Sequence, residues 1–166
     1  ARKIAQALDR YVDHPLDEAT CLDIGCSSGL ITQALAPLFE QAIGLDYDQI
    51  ALEATDGTRR EKVDFVRGDA MRMPFGDGTV DVIICAQVYE HVPSATNLFT
   101  EMYRLIRPGG SAFFSGPNWL FPIEPHYFLP FLHWLPGPLA DIYLRACGRG
   151  QRYYERSHHW WRLRDM

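Results

Sequence analysis

The sequence predicts an α/β fold, a three-layer α/β/α sandwich built around a mostly parallel β-sheet. Between residues 20 and 116, short apolar and β-branched runs alternate with longer amphipathic stretches, which is the pattern of βαβ units. The chain has 166 residues, of which 47% are hydrophobic and 22% are charged. This length and composition are typical of one folded unit, so we expect residues 1–166 to form a single domain.

Five short runs are predicted to be the strands of this sheet. Each run is apolar, and each is bounded by Gly, Asp or Pro, which end extended segments. Because parallel strands need crossover connections, we expect the segments between the runs to contain helices. The predicted strands cover residues 20–24, 41–45, 63–67, 80–85 and 111–115.

The first crossover helix is predicted directly after the first strand. Ser27 or Ser28 can cap its first turn, its apolar face starts at Leu30, and Pro37 weakens its end. Another helix is expected before the first strand, where apolar residues recur at helical spacing between residues 4 and 12.

Two later helices are predicted from their caps. Asp48 is expected to cap a helix over residues 49–55 that ends near Gly57. Ser94 is expected to cap a longer amphipathic helix, which the turn at residues 107–110, Arg-Pro-Gly-Gly, stops.

The C-terminal part of the chain differs in kind from the rest. Residues 117–138 are dense in proline and aromatic residues, so we expect a lid or the wall of a substrate pocket there. Residues 139–166 are predicted to form a basic helical tail. Its arginines are interleaved with tyrosine and tryptophan. Two interpretations remain, a helix face exposed to solvent and a surface that contacts RNA.

Composition argues against several classes of protein. No stretch approaches the roughly 18 apolar residues of a membrane span, and the N-terminus is too charged for a secretory signal. We therefore expect a cytoplasmic protein with at most peripheral membrane contact. The net charge of −5 disfavours nucleic acid as a partner. The four cysteines are scattered and form no C-x-x-C pair, so we predict neither a metal site nor a disulfide framework.

The strongest local signal is a glycine-containing turn between the first strand and its helix. Gly25 and Gly29 permit backbone conformations and a close ligand approach that a Cβ would hinder, and the helix N-terminus offers free N–H groups. The dinucleotide fingerprint G-x-G-x-x-G requires glycine where this chain has Ser27 and Leu30. A NAD(P)-dependent oxidoreductase is therefore only the weaker alternative.

The same turn resembles motif I of the class I S-adenosylmethionine-dependent methyltransferases, an acidic residue followed by G-x-G-x-G. Asp23, Gly25 and Gly29 match the motif, Ser27 stands in place of its middle glycine, and Cys26 lies between them. The resemblance implies a Rossmann-like fold and binding of S-adenosylmethionine, with S-adenosylhomocysteine as the product.

Further matches follow along the chain in the family's order. The resemblance implies that Asp46, followed by Tyr47, binds the ribose hydroxyls of the cofactor. It implies that Asp69, Ala70 and Met71 form the adenine-binding segment.

The loop after the fourth predicted strand resembles that of members related to ubiquinone-biosynthesis enzymes, in which it ends in Glu-His beside the methionine half of the cofactor. By this resemblance, the backbone at Ala86 and Gln87 binds the cofactor's amino group. Family members also add a final antiparallel strand pair that the sequence does not show after Ser115. We therefore expect these C-terminal strands to be missing and the chain to be a fragment of a longer protein.

The resemblance implies methyl transfer by in-line displacement, which requires mainly that the two reactants be held in near-attack geometry. His91 and His126 are the candidate catalytic residues, since an imidazole can take a proton from an acceptor near neutral pH. The aromatic residues of 117–138 favour a small, apolar or aromatic acceptor. A non-catalytic cofactor-binding module or an RNA-associated module is the alternative.

Overall fold

A computed structural model describes residues 1–55 and 61–166 of the chain. Its centre is a five-stranded sheet in the order β3-β2-β1-β4-β5, and every neighbouring pair of strands is parallel. The strands are β1 Thr20–Ile24, β2 Gln41–Asp46, β3 Val63–Arg67, β4 Val80–Ala86 and β5 Ile106–Ser115. The predicted α/β fold with a parallel sheet is confirmed.

Helices lie against both faces of the sheet. The helices of the described residues are α1 Arg2–Tyr11, α2 Leu30–Leu35, α3 Gln49–Glu53, α4 Ala95–Leu105, α5 Gly137–Ala146 and α6 Trp160–Arg164. Of these, α5 packs on the C-terminal segment, at Leu129 and Leu132, and not on the sheet. Side chains alternate between the faces of a strand, so Leu22 and Ile83 pack in the cluster that contains Leu98 of α4. Their neighbours Cys21 and Val82 pack with α1 on the other face. This division makes the three layers of the predicted sandwich.

Two of the predicted helix caps are confirmed. The Asp48 side chain accepts hydrogen bonds from the backbone N–H groups of Ile50 and Ala51 and caps α3. The Ser94 side chain accepts one from Asn97 and caps α4. The predicted end of α3 near Gly57 lies outside the described residues.

The predicted cap of α2 is wrong. Gly29, in the left-handed conformation, occupies the N-cap position, and neither Ser27 nor Ser28 makes a capping hydrogen bond there. The physical reason is that the glycine turn extends through Gly29, one residue beyond Ser28, before the chain becomes helical. The helix ends at Leu35 and tightens into a 3₁₀ turn over Ala36–Leu38, which contains Pro37.

The turn predicted over residues 107–110 is instead the irregular start of β5. Its strand begins at Ile106, opposite Val80, and a register shift between Val80 and Val82 absorbs the extra residues. Gly110 permits this close pairing, because a Cβ there would lie 2.8 Å from the backbone oxygen of Asp81. Pro108 stops the helix as predicted, but the chain continues as an extended strand.

The C-terminal part contains more regular structure than predicted in residues 117–138 and less helix than predicted in residues 139–166. Residues 117–138 include a small antiparallel pair, β6 Ile123–Glu124 and β7 Leu129–Pro130, and a 3₁₀ turn over Leu132–Trp134. The predicted basic tail is helical only in α5 and α6, because residues 147–159 form no helix. In the part of the chain that the structure describes, no strand after β5 joins the main sheet.

No helix of the described residues is long and apolar enough to cross a membrane.

Tyr89, which follows β4, connects the sheet to the C-terminal part of the chain by hydrogen bonds. Its buried hydroxyl donates a hydrogen bond to the carbonyl oxygen of Pro117 and accepts one from the backbone N–H of His158, at 3.1 Å. We expect Tyr89→Phe to lower the free energy of unfolding by about 1–3 kcal/mol, because two buried backbone groups lose their partner while the ring packing remains. Urea unfolding measures this loss. Tyr103→Phe, at an exposed tyrosine on α4, is the control, and equal effects of the two variants would contradict the prediction.

Candidate active site

A cavity of about 520 Å³ opens where the central strands end, within the usual size range of small-molecule sites. It lies at the carboxyl ends of the strands, beside the point where the chain order reverses between β1 and β4. Open α/β sheets bind ligands at this position. The lining residues are Gly25, Leu45, Asp46, Tyr47, Gly68, Asp69, Ala70, Met71, Gln87, Val88, His91, Val92 and Pro93.

The glycine turn after β1 forms one wall of the cavity. Gly25 has a φ of +70°, and a Cβ at this position would lie 2.6 Å from Cγ2 of Val88. A side chain would therefore both strain the backbone and collide with the opposite wall. Gly29 has a φ of +72° but serves packing, because its missing Cβ makes room for the Phe65 ring. Of the two predicted glycines, only Gly25 lines the cavity.

Other predicted residues of this turn lie behind the wall. Asp23 is buried and accepts a hydrogen bond from the Thr32 hydroxyl at 2.6 Å. Burial raises the pKa of the Asp23 carboxyl to about 6, while the hydrogen bond from Thr32 acts against this shift and nearby Asp46 adds to it. Cys26 is also buried, and burial raises the pKa of its thiol to about 12. Both side chains are buried behind the turn and do not line the cavity.

Asp46 connects the turn to the cavity. At the end of β2, its Oδ2 accepts a hydrogen bond from the backbone N–H of Ser27 at 2.7 Å, and its Oδ1 accepts one from Asp48 at 2.9 Å. A carboxylate has about four lone-pair positions, so Asp46 can accept two further hydrogen bonds from a ligand. Tyr47 is next to it, exposed, with the guanidinium of Arg67 5.6 Å from the ring centre.

The segment after β3 forms a second wall. Oδ1 of Asp69 accepts a hydrogen bond from the backbone N–H of Met71 at 2.8 Å, which holds a tight turn. Asp69, Ala70 and Met71 all line the cavity. These are the residues that the resemblance assigns to the adenine-binding segment.

The end of β4 closes the cavity from the third side. Gln87 has a φ of +60° and donates its backbone N–H to the carbonyl oxygen of Ser115 at 2.8 Å. Gln87 lines the cavity, whereas Ala86, also predicted, remains in the strand behind it. The apolar residues Val88, Val92 and Pro93 line this end but escaped prediction, as did Leu45 and Gly68. Gly68 directly follows β3 and Val88 lies two residues after β4, so a position next to a strand end is the signal that could have found these two residues.

Comparison with known proteins decides the family. A family model described as a methyltransferase domain matches residues 22–114, which is more than half of the chain. The chain belongs to the methyltransferase domain family. This match decides against the oxidoreductase alternative that the glycine turn had left open.

Individual relatives agree with the match. The methyltransferase domain is 35% identical over 130 residues to an uncharacterized methyltransferase of Mycobacterium sp. strain JLS, covering 78% of this chain and 51% of the relative. It spans about half the length of the curated relatives it matches.

Solved structures agree with the fold. The YcgJ protein of Bacillus subtilis superposes with a TM-score of 0.72 at 19% identity, over 99% of this chain and 66% of that one. An S-adenosylmethionine-dependent methyltransferase of Mesorhizobium loti superposes with a TM-score of 0.62 at 18% identity, over 72% of this chain and 55% of that one. The methyltransferase domain thus has the Rossmann-like class I fold that the resemblance implied.

The two predicted catalytic histidines of the methyltransferase domain lie side by side. Their ring centres are 4.9 Å apart, although the residues come from different segments of the chain. His91 lines the cavity, and burial lowers the pKa of its imidazole, with His126 acting in the same direction. His126 reaches the cavity only through His91. No residue of 117–138 lines the cavity in the described structure, so the lid or wall role of that segment stays a prediction.

Three buried glutamates surround the two histidines. Burial raises the pKa of Glu90, its own backbone N–H and His126 act against this shift, and Glu124 and Glu155 add to it. Glu124 accepts hydrogen bonds from the backbone N–H groups of His126 and Tyr127, and Glu155 accepts one from the Tyr127 hydroxyl. Sequence reasoning found the histidines and the Glu-His pair at Glu90 and His91, but it missed the roles of Glu124 and Glu155, because these two reach this place only by tertiary folding.

Ser27 is the point where the methyltransferase domain departs from its family's motif. Its φ of +49° is in the left-handed region, which costs a residue with a Cβ about 1–2 kcal/mol relative to glycine. We expect Ser27→Gly to raise the free energy of unfolding by up to about 1 kcal/mol, because greater freedom of the unfolded chain offsets part of the relief. Urea unfolding measures it, with Ser28→Gly, at the next position of the same turn, as the control. A loss of stability in Ser27→Gly would contradict the prediction.

Proposed function

We propose that the chain binds S-adenosylmethionine in the cavity at the strand ends and directs its methyl group to a small, apolar or aromatic acceptor. One observation carries this proposal. The loops after β1, β2, β3 and β4 converge on a single cavity, in the order in which the family uses them for the methionine, ribose and adenine parts of the cofactor.

The residues present fit this cofactor. Gly25 lines the cavity without a side chain, and a Cβ there would collide with Val88, so only backbone atoms of Gly25 face a bound ligand. The Asp46 carboxylate faces the cavity with acceptor positions for two hydroxyl groups. Ala70 and Met71 offer a small and a polarizable surface for a flat ring.

The main contribution of the chain to the reaction is to position the cofactor and the acceptor. When bound, S-adenosylmethionine supplies a methyl group that its sulfonium charge already activates. Asp46 would hold the ribose, and the backbone at Gln87 would orient the methionine end. Orientation of this kind can supply a large part of the barrier reduction in a displacement between two bound partners.

The acceptor end of the cavity supports an apolar substrate. Val88, Val92 and Pro93 form this end, and His91 borders it with a half-exposed imidazole. Apolar walls with one polar group bind a ligand by burial and fix its orientation by a single polar contact. An acceptor with an apolar or aromatic body and one polar atom fits this arrangement.

Thermal unfolding with and without ligands tests the cofactor. We expect S-adenosylmethionine and S-adenosylhomocysteine, each near 100 times its dissociation constant, to stabilise the chain by about 2.7 kcal/mol. For a domain of this size the unfolding temperature then rises by roughly 5–10 °C. NADH is the control ligand and is expected to have no effect. A folded chain that neither adenosyl ligand stabilises, or that NADH stabilises equally, would overturn the proposal.

The RNA-associated alternative makes a separate prediction. It requires an electrophoretic shift of unrelated RNAs at low salt that weakens steeply as salt is added. No shift at low salt would discard it.

A further inference from the structure

The site contains a cluster of ligand atoms that cofactor binding does not use. It consists of Glu90, His91 and His126, whose candidate ligand atoms all lie within 4.8 Å of one another. Glu90 Oε1 is 3.9 Å from Nε2 of His91 and 3.7 Å from Nε2 of His126. These separations are too long for hydrogen bonds. The three side chains therefore point at a common space without bonding to each other.

Glu90 is the strongest indication that this space holds a ligand. Its side chain is fully buried, and neither of its carboxylate oxygens has a hydrogen-bond partner in any other residue that the structure describes. In the same described part of the chain, no lysine or arginine nitrogen lies within 4.0 Å of it. A buried carboxylate without a partner is costly, so native structures pair such groups or place them on a metal ion.

The spacing suits a small cation. Two ligands on one tetrahedral zinc ion lie about 3.4 Å apart when each bond is about 2.1 Å long. The observed distances of 3.7 and 3.9 Å exceed this by a few tenths of an ångström, which small rotations of side chains can supply.

His126 is already oriented as a metal ligand. Its Nδ1 lies 2.7 Å from Oε1 of Glu124, a buried carboxylate that also accepts the backbone N–H of His126. In the tautomer in which Nδ1 donates its proton to Glu124, Nε2 carries a lone pair and lies 3.7 Å from Oε1 of Glu90. Carboxylates orient metal-binding histidines in this way in known sites.

We propose that Glu90, His91 and His126 form a binding site for a divalent transition-metal ion of the zinc type, with Glu124 as a positioning residue. Two imidazoles and one carboxylate are a donor set that zinc accepts while keeping one position open. Because His91 lines the cavity, the open position faces the proposed acceptor. An acceptor with an anionic oxygen suits it, and only this last step rests on the proposed function. The site was not predicted from the cysteine pattern, since it contains no cysteine.

Titration of the untagged chain with Co²⁺ alone tests the site, followed by displacement with Zn²⁺. We expect one equivalent of Co²⁺ to bind with the visible absorption of a tetrahedral ion, and Zn²⁺ to abolish that absorption. Glu90→Gln, His91→Gln and His126→Gln are each expected to weaken binding at least about 100-fold, and Glu124→Gln about 10–100-fold. His14→Gln, at a histidine outside the cluster, is the matched control and should bind as the unchanged chain does.

Each outcome bears on the proposal. Absence of stoichiometric binding, or binding that survives all three ligand substitutions, would overturn it. His91→Gln changes a half-exposed residue, so it keeps the test informative where a buried substitution prevents folding, which circular dichroism without metal would show. No adenosyl ligand is present in this titration, so failure of the metal site and failure of cofactor binding are separate results.

Discussion

Replacing Asp46 by alanine is expected to lower the affinity of the chain for S-adenosylmethionine about 100-fold. Asp46 lines the cavity, and hydrogen bonds from two hydroxyl groups to its charged carboxylate would contribute about 3 kcal/mol together. This free energy corresponds to about two powers of ten in the dissociation constant. The substitution also removes the bond that holds the Ser27 N–H, so the glycine turn loses part of its support. Isothermal titration with S-adenosylhomocysteine measures the change.

Asp48 provides the matched control for this substitution. It lies two residues further along the same loop, is exposed, and caps α3 without lining the cavity. We expect Asp48→Ala to lower the free energy of unfolding by about 1 kcal/mol through the lost cap while the affinity stays within a few-fold. Equal losses of affinity in the two variants would show that the loop as a whole matters and that the Asp46 carboxylate does not bind the ligand.

Asp23→Asn is expected to stabilise the chain above pH 6 by up to about 3 kcal/mol. Burial raises the pKa of Asp23 from 3.8 to about 6 in the folded state, so between these values the folded chain binds the proton more tightly than the unfolded chain does. The stability that this proton contributes is therefore complete below pH 4 and is lost as the pH rises through about 6. Asparagine carries no charge, so the variant does not undergo this loss.

Urea unfolding of both proteins between pH 4 and 8 tests the pH dependence. The difference in unfolding free energy between the variant and the unchanged chain should grow with pH and level off above about pH 7. Thr32→Ala provides a second check, because the Thr32 hydroxyl lowers the pKa of Asp23 and its removal should shift the transition to higher pH. A difference that is constant across the pH range would contradict the raised pKa.

The strands were predictable because their signal is local. Residues 20–24 and 63–67 were predicted with the bounds that the structure has, and β2 and β4 are each one residue longer than predicted. An apolar run between turn residues needs little tertiary information to be identified as a buried strand. The caps at Asp48 and Ser94 were equally local, since a side chain that bonds to a backbone two or three residues ahead depends on sequence spacing alone.

The parts that failed depend on backbone geometry. Which residue caps α2 was decided by left-handed conformations at three alternate positions, Gly25, Ser27 and Gly29, which a residue type alone does not determine. The packing role of Gly29 is a related case: the motif match did not show that its missing Cβ makes room for the Phe65 ring. The side chain that needs its space comes from a strand 36 positions away in the chain.

The sequence by itself therefore determined the α/β class, the parallel sheet and the loops that line the cavity, because each loop follows its own strand and all parallel strands end at one edge. Only the tertiary structure decided which of those residues face the cavity and which support it from behind, as with Asp46 and Asp23. It alone brought Glu124 and His126 to Glu90 and His91. A contact between residues more than 30 positions apart depends on how the C-terminal segment packs on the sheet, and no local pattern records that packing.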